Sequence, residues 1–369
     1  MSTMPKILIT SAGGKTGMPV TLQLLEKGYP VRAFMRRRDA RTNLLEKAGA
    51  EIYVGDQYSI ADMRQAMAGV QRAYQCAPTA PNGLLFNAVF TAAAHEAKLE
   101  HTVTLSQWLS AAQHPSLFTR EVYLSDILIR MSSEMSVTTI NPGWFADNYL
   151  MVLDMAAHLG LFTMPLGEGN IKKNAPPSNE DIASVVVATL INPEDHSGQT
   201  YRPTGPELLS PYEIAAAMGR GLGRKVKYMD ISERMMVKAL RALPPSNYSE
   251  AAVSQLAIYA DEYRRGSFAV NAPTNDVEQV GGRVPDSFES IVRRTVAARP
   301  NLRTNVFRRI GAMKGFAKIL ITPALNLEKI QSDRDYARLS TPKFCQDTPE
   351  WLATHDHPRS GAALSSRVA

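Results

Sequence analysis

The chain has 369 residues, of which 44% are hydrophobic, 21% charged and 7% aromatic, and this composition excludes disorder as its main state. No stretch approaches about 18 consecutive apolar residues and the first residues lack the pattern of a secretory signal, so we expect a cytoplasmic protein. The only cysteines, Cys76 and Cys345, are too few for a disulfide scaffold or a thiolate zinc site.

The net charge of +6 is unevenly distributed along the chain, because residues 293–318 contain eight basic side chains and no acidic one. Without those eight charges, the rest of the chain sums to about −2. We therefore expect no nucleic-acid partner.

The first 140 residues alternate between short apolar strands and helices, a pattern typical of parallel sheets with helices on both faces. The sequence therefore predicts an α/β, doubly wound parallel sheet of the Rossmann type. Strands are predicted at 6–11, 31–35, 51–54, 71–75, 102–105 and 137–140. Helices are predicted at 18–27, 40–48, 60–68, 83–98 and 119–132.

The second half lacks this regular alternation and is mostly helical, as expected of a substrate portion. Helices are predicted at 150–159, 181–190 and 210–222, a turn-rich excursion at 166–174, a short strand at 200–202, and mainly helix from 226 to 331 with breaks at 243–246 and 272–275. The whole chain is therefore predicted to divide into three segments. They are a cofactor domain (1–149), a substrate portion (150–298) and a basic helical extension with a loose tail (299–369), which ends in small residues at 360–369.

A glycine-rich turn, Thr10-Ser-Ala-Gly-Gly-Lys-Thr-Gly17, follows the first strand and opens the first helix. Glycines allow the backbone to approach a pyrophosphate, and the helix N-terminus offers free N–H groups, so this turn is the expected phosphate site. It is not a P-loop, because Ile9 stands where that motif needs glycine. The alternative is a tight turn without a ligand. The cofactor-binding candidates in the turn are Ser11, Gly13, Gly14, Lys15, Thr16 and Gly17.

The second strand ends in Arg36-Arg-Arg38, without the acidic residue that holds the ribose 2′-hydroxyl of NAD. We expect Arg36 and Arg37, helped by Lys15, to bind a 2′-phosphate, so that NADP(H) is preferred over NAD(H). The alternative is a solvated basic helix start. Asp56 is expected either to accept from the adenine amino group or to cap a helix. Ala77, after the fourth strand, is a further cofactor-binding candidate.

Four segments, taken in order, resemble the NmrA-like branch of the atypical short-chain dehydrogenase/reductase superfamily. The glycine turn is similar to its G-x-x-G-x-x-G, with Ser11, Gly14 and Gly17 in the three glycine positions. The others are 54–70, similar to its "G-D, helix, G-V" passage, 118–126 with 139–148, similar to its T-x-x-R-P-x-x-F-x-x-N segment, and 177–183 with 198–206, similar to its "D-I-A" helix and "G-x-x-Y-x-x-T-G" strand. The resemblance covers about residues 5–230.

The resemblance implies a catalytic Ser106 at the end of the fifth strand and Tyr123 on the following helix. Classical members of the superfamily pair this tyrosine with a lysine four residues later, which lowers the tyrosine pKa. Here that position is Ile127, so Tyr123 is either the proton donor or a packing residue. Asn141 occupies the position of the arginine that precedes proline in the family pattern.

Substrate-binding candidates follow the turn after the sixth strand, at the edge where doubly wound folds bind ligands. They are Asn141, Trp144, Phe145 and Asn148. The seven histidines show no ligand spacing, and we expect no metal.

The sequence favours an NADPH-dependent oxidoreductase acting on a small, largely apolar carbonyl, quinone or unsaturated compound, because the cofactor carries most of this chemistry. The alternative, also implied by the resemblance, is a catalytically silent NADP(H)-binding regulator acting through a protein partner. The oligomeric state is left open.

Residues 305–321 form a predicted basic amphipathic helix. It is expected either to dock its apolar stripe on the domain with a solvated basic face, or to use the region 293–321 to contact an anionic membrane surface or an acidic protein.

Overall fold

The computed structural model describes residues 4–78, 82–131, 134–242 and 250–356. In the first half, strands and helices alternate as predicted. The strands are β1 (Ile7–Ile9), β2 (Val31–Met35), β3 (Glu51–Val54), β4 (Arg72–Gln75), β5 (His101–Leu105) and β6 (Ser136–Ile140). The helices are α1 (Gly17–Glu26), α2 (Ala40–Lys47), α3 (Ile60–Met67), α4 (Gly83–Glu96) and α5 (Leu117–Arg130).

The second half contains short strands and twelve further helices among its described residues. The strands are β7 (Leu161–Met164), β8 (Thr200–Tyr201) and β9 (Lys227–Asp230). The helices are α6 (Ala146–Leu150), α7 (Leu153–Leu159), α8 (Asn179–Ile191), α9 (Pro193–His196), α10 (Pro211–Leu222), α11 (Glu233–Ala242), α12 (Glu250–Arg265), α13 (Asp276–Gln279), α14 (Phe288–Ala298), α15 (Val306–Ile321), α16 (Leu327–Asp333) and α17 (Pro349–His355). The predicted break at 243–246 and the small-residue end at 360–369 lie outside the described residues.

Seven strands form one parallel sheet in the order β3-β2-β1-β4-β5-β6-β8. The strand order reverses between β1 and β4, and the crevice outside the carboxyl ends at such a reversal is where doubly wound folds bind ligands. β1 lies in the middle and is buried on both faces, which explains its uninterrupted Ile-Leu-Ile sequence. The predicted doubly wound α/β fold is confirmed.

A second, two-stranded parallel sheet pairs β7 with β9, and the sequence did not predict it. β9 reads Lys-Tyr-Met-Asp and is largely exposed, so it lacks the apolar alternation that marks a half-buried strand. Its pairing with β7 depends on a contact between positions more than sixty residues apart, which local pattern does not reveal.

The C-terminal segment packs against the substrate half, so the prediction of a loose tail is wrong for residues 345–355. Cys345, Trp351 and His355 are 0%, 3% and 4% exposed. Pro349 does not interrupt this segment, because it starts α17 at a position where helices tolerate proline. Trp351 shares one hydrophobic cluster with Trp108, which follows β5.

Among the described helices, none combines the length and the apolar composition that a membrane crossing requires.

Candidate functional site

The glycine turn between β1 and α1 is shaped by close backbone approaches. A Cβ atom on Gly17 would lie 2.4 Å from the carbonyl oxygen of Ser11, and one on Gly14 would lie 2.9 Å from the same oxygen. Ser11 has a φ of 48°, in the left-handed region that glycine adopts most easily. Its N–H and hydroxyl both donate to the side-chain oxygen of the buried Gln57, which stabilises this conformation.

The N-terminus of α1 presents backbone donors at the carboxyl end of β1. Among the described residues, nothing accepts a hydrogen bond from the N–H of Lys15, Thr16 or Gly17. Such unpaired donors, together with the positive end of the helix dipole, suit a pyrophosphate. The Thr16 side chain does not face this opening, because its hydroxyl lies 3.4 Å from the buried Cys76 Sγ.

Basic side chains surround the end of β2. Arg36 and Arg37 are exposed, and the Arg37 guanidinium lies 3.8 Å from the Asp39 carboxylate. Arg41, which was not predicted from the sequence, donates to the Gly13 carbonyl at 3.1 Å and so joins α2 to the glycine turn. A hydrogen bond from Arg41 also lowers the pKa of Asp39 to about 2.

The other two cofactor candidates near these strands are placed as follows. The Asp56 side chain accepts from the N–H of Tyr58 at 2.9 Å, closing a turn ahead of α3. Ala77 follows β4 and is partly buried against the β-sheet core.

Lys15 points away from the end of β2. Its ammonium group lies 3.0 Å from the Asp147 carboxylate on α6. The ion pair therefore connects the glycine turn to the segment that carries the predicted substrate-binding residues. Since Lys15 remains more than half exposed, the pair contributes little to stability and can open for a ligand.

Ser106 lies at the carboxyl end of β5 and donates from its hydroxyl to the Asp126 carboxylate at 2.5 Å. Ser110 donates to the same carboxylate oxygen at 2.8 Å. Burial raises the pKa of Asp126 to about 6, although these two hydrogen bonds and the charge of Arg130 act in the opposite direction. Asp126 was not predicted from the sequence; its place three residues after Tyr123, on one face of α5, was the available signal.

Tyr123 lies on α5 and is partly exposed. Its hydroxyl makes no hydrogen bond to any described side chain or backbone group. Ile127, which replaces the lysine of the classical pair, is 44% exposed on the same helix. Tyr123 thus lacks the lysine of the classical pair, whereas Ser106 is hydrogen-bonded to the Asp126 carboxylate.

Two predicted substrate-binding residues carry buried polar atoms without partners among the described residues. They are Oδ1 of Asn141 and Nε1 of Trp144. The Ser106 N–H donates to Ile140 O at 2.9 Å, which fixes Asn141 beside Ser106. Buried polar atoms normally find a partner, so these two suit a ligand or an ordered water.

The turn after β6 is held in place by residues that were not predicted from the sequence. Asn174 donates to the Trp144 carbonyl at 2.8 Å, and the Trp144 ring packs edge-to-face against Tyr263 and Phe268. Phe145 packs instead against the core under the sheet. Asn148 is partly exposed one helical turn later on α6. Trp144 thus belongs to an aromatic cluster with Tyr263 and Phe268, and Phe145 to the sheet side.

A buried cluster of His114, Glu262 and Cys345 places three potential metal ligands within 4.8 Å of one another. His114 Nδ1 accepts from the Ser116 N–H at 3.0 Å, so its proton is on Nε2, 2.9 Å from Glu262. The Glu262 carboxylate also accepts from the Cys345 N–H and the Ser267 hydroxyl. These internal hydrogen bonds satisfy the cluster and anchor the C-terminal segment.

Two surface cavities lie away from these strand ends. One, of about 350 Å³, is lined by α10, α14 and the start of α15, and the other, of about 290 Å³, lies between α4 and α5. Neither touches the glycine turn or Ser106, so the candidate site is defined by its polar groups and not by cavity size.

Residues 3–289 match the model of the NmrA-like family. The NAD(P)H azoreductase of Xenophilus azovorans is 28% identical over 293 residues, which are 79% of this chain and 98% of that protein. The NADPH-dependent quinone oxidoreductase of Escherichia coli, solved with NADPH, has a TM-score of 0.65 and 21% identity over 78% of this chain and 99% of that chain. NmrA, a negative transcriptional regulator solved with NADP, has a TM-score of 0.66 and 15% identity over 80% and 97% of the two chains. NmrA has also been solved with NAD, so the NAD(P)-binding fold of these proteins holds either cofactor.

Proposed function

The chain belongs to the NmrA-like family, and on this premise we propose that it is an NADPH-dependent reductase of a small, largely apolar carbonyl, quinone or unsaturated compound. The observation that carries the proposal is the Ser106–Asp126 hydrogen bond at the carboxyl end of β5, beside the unpartnered polar atoms of Asn141 and Trp144. These groups lie at the sheet edge that also carries the glycine turn.

The residues present fit a dinucleotide. The free N–H groups of Lys15, Thr16 and Gly17 would hold the pyrophosphate, and Arg36 and Arg37 would hold the 2′-phosphate. Arg41 keeps the glycine turn against α2. When bound, the reduced nicotinamide supplies a hydride.

In place of the tyrosine–lysine pair, Asp126 supplies the proton through Ser106. Because its pKa is raised to about 6, a fraction of the carboxyl groups is protonated near neutral pH. A protonated Asp126 donates to the Ser106 oxygen, which leaves the serine hydroxyl free to donate toward a substrate oxygen. Asn141 and Trp144 orient that substrate through their unpartnered atoms.

A second candidate function is an NADP(H)-binding regulator that turns nothing over. Ile127, in place of the lysine, favours it, because a chain without that residue has lost the usual means of activating Tyr123. The reductase is preferred because the Ser106–Asp126 pair offers an alternative proton source.

To test this function, NADPH absorbance is monitored while the purified protein is mixed with each member of a panel of quinones, enones and aldehydes. We expect turnover, and we expect Asp126→Asn to lower kcat for aldehydes by about a hundredfold or more, the usual contribution of a general acid. The loss should be smaller with quinones, whose reduction depends mainly on positioning the hydride donor. In the parent, kcat should fall as pH rises through about 6, the pKa of Asp126, and this limb should vanish in Asp126→Asn.

Glu121→Gln is the matched control, because burial raises the pKa of Glu121 to about 7 on the same helix, yet its carboxylate makes no hydrogen bond to Ser106. This variant should retain the limb. Tight NADPH binding with no oxidation across the panel would favour the regulator instead.

A further inference from the structure

Helix α15 turns an apolar face toward solvent. Val306, Ile310, Met313, Ala317 and Leu320 follow one another at steps of four, three, four and three residues, which places them along one side of a helix. All five are exposed, Val306 by 69% and Met313 by 61%. This side is continued by Ile321, which is 82% exposed.

The opposite side of α15 makes the contacts with the domain. It consists of small or partly buried residues, Ala312, Gly315 and Phe316, and the buried Ile319, which pack toward α7 and α11. The expectation that the apolar stripe docks on the domain is therefore wrong. The helix rests on the side that carries the buried Ile319 and leaves the other apolar side uncovered.

Basic side chains border the exposed apolar face. At 100° per residue, Lys314 and Lys318 lie along one border with the 85% exposed Phe307, and Arg309 lies along the other. In the described part of the chain, none of these three cations forms an ion pair with a carboxylate. By contrast, Arg293 and Arg294 on α14 are paired with Glu289 and with Asp286.

Neighbouring groups hold the helix in this orientation. Lys238 on α11 donates to the Leu320 carbonyl at 2.6 Å, and Arg241 donates to the Pro323 carbonyl at 3.1 Å. At the other end, the Asn305 side chain caps the helix by accepting from the Arg308 N–H. The face is preformed, so binding to it orders little additional backbone.

We propose that α15 binds the surface of an anionic lipid bilayer, lying in the plane of the interface with its apolar side among the acyl chains and its cations at the headgroups. An amphipathic helix with cations along the borders of its apolar side has the charge complementarity that this surface requires. A second copy of the chain fits less well, because a symmetric contact sets Lys314, Lys318 and Arg309 against the same cations of the other copy.

Binding is tested by co-sedimentation of the full chain with vesicles of phosphatidylcholine alone or mixed with phosphatidylglycerol. We expect binding to the anionic vesicles, weakened by salt, and little binding to the neutral ones. In parallel, brominated lipid should quench the fluorescence of the tryptophan in a Phe307→Trp variant, because residue 307 borders the inserted side.

Two pairs of substitutions separate the apolar and the electrostatic contributions. Ile310→Asp with Met313→Asp should abolish binding, and Lys314→Glu with Lys318→Glu should lower the partition coefficient by more than about 25-fold, since each cation near such a surface contributes about fivefold. The matched controls are Ile171→Asp with Val284→Asp, which are 44% and 79% exposed elsewhere, and Lys27→Glu with Lys47→Glu, which change the net charge equally. All four changed positions on α15 are exposed, so the fold should be kept, as circular dichroism can check.

Absence of binding to anionic vesicles would overturn the proposal, as would equal losses in the α15 variants and their controls. Light scattering of the same samples measures the oligomeric state and so tests whether a second copy of the chain covers this face. If the Ile310→Asp, Met313→Asp variant dissociates an oligomer of the parent that binds no vesicles, the face joins copies of the chain and the proposal is wrong.

Discussion

The indole Nε1 of Trp351 donates a hydrogen bond at 3.0 Å to the carbonyl oxygen of Trp108, a residue 243 positions earlier in the chain. Trp108 in turn donates from its own Nε1 to the Ser267 carbonyl at 2.9 Å. The loop after β5, which carries Ser106 and Ser110, is thus held by α17 on one side and by the residues after α12 on the other. The C-terminal segment therefore belongs to the architecture of the candidate site.

Trp351→Ala should destabilise the protein strongly. The side chain is 3% exposed, and truncation of a buried tryptophan typically costs about 3–5 kcal/mol. Urea unfolding measures this loss. Trp351→Phe is the control, since it keeps most of the packing and removes only the hydrogen bond, at a cost nearer about 1 kcal/mol. A Trp351→Ala variant as stable as the parent would show that the segment is not part of the folded core.

His355 should make the stability depend on pH in acid. Burial lowers the pKa of His355 to about 3, whereas in the unfolded chain a histidine has a pKa near 6.5. Between these two pKa values the unfolded state binds a proton at this histidine and the folded state does not. Stability present above about pH 6.5 is therefore lost as the pH falls toward 3.

His355→Phe tests this effect and preserves the ring that stacks on Trp351. Between about pH 6 and pH 4, the free energy of unfolding of the parent should fall more steeply than that of the variant, by up to about 1.4 kcal/mol per pH unit. Buried His101, whose pKa burial lowers to about 4, is common to both proteins and does not affect the difference. Parallel curves would contradict the assignment.

The cofactor preference should depend on Arg36 and Arg37. In the double Ala variant, we expect NADPH affinity to fall about tenfold to a hundredfold, the range of one or two charge-assisted hydrogen bonds, with NADH affinity unchanged. Titration calorimetry with both cofactors measures this. Arg38→Ala is the control, because the Arg38 guanidinium lies 3.4 Å from the Glu46 carboxylate. Equal losses for the two cofactors would mean that these arginines do not read the 2′-phosphate.

Gly17→Ala should abolish nucleotide binding. The added Cβ atom would lie 2.4 Å from the Ser11 carbonyl oxygen, so the turn must open and its free N–H groups lose their alignment. Gly311→Ala is the control, since a Cβ atom there meets nothing within 4 Å. It should stabilise α15 by about 0.5–1 kcal/mol and leave cofactor affinity unchanged. Thermal shifts with and without NADPH distinguish the two variants.

The sequence was most informative where structure depends on neighbours in the chain. The alternation of β1 to β6 with helices, and the glycine turn after β1, depend on local hydrophobic periodicity and on backbone geometry, and both were predictable. The position of Ser106 at the end of β5 followed from the same alternation.

What the sequence could not provide were contacts between distant segments. The hydrogen bond of Asp126 to Ser106 joins residues 20 positions apart, and that of Arg41 to Gly13 joins residues 28 positions apart. The orientation of α15 was missed because periodicity identifies an apolar side but not whether that side faces the domain. The side that contacts the domain carries Ala312 and Gly315 beside the buried Ile319, and local periodicity does not mark it as the contacting side.

The hydrogen bonds of the Glu262 carboxylate affect the order in which the chain folds during synthesis. It gathers the His114 ring, the Ser267 hydroxyl and the Cys345 amide, three groups spread along most of the chain. During synthesis the nucleotide-binding strands can pair as soon as they emerge, but the loop after β5 must wait until residues 345–351 have left the ribosome. Until then Trp108 lacks the hydrogen bond from Trp351 and the contact with the His355 ring, and we expect chaperones to protect this part of its surface in the nascent protein.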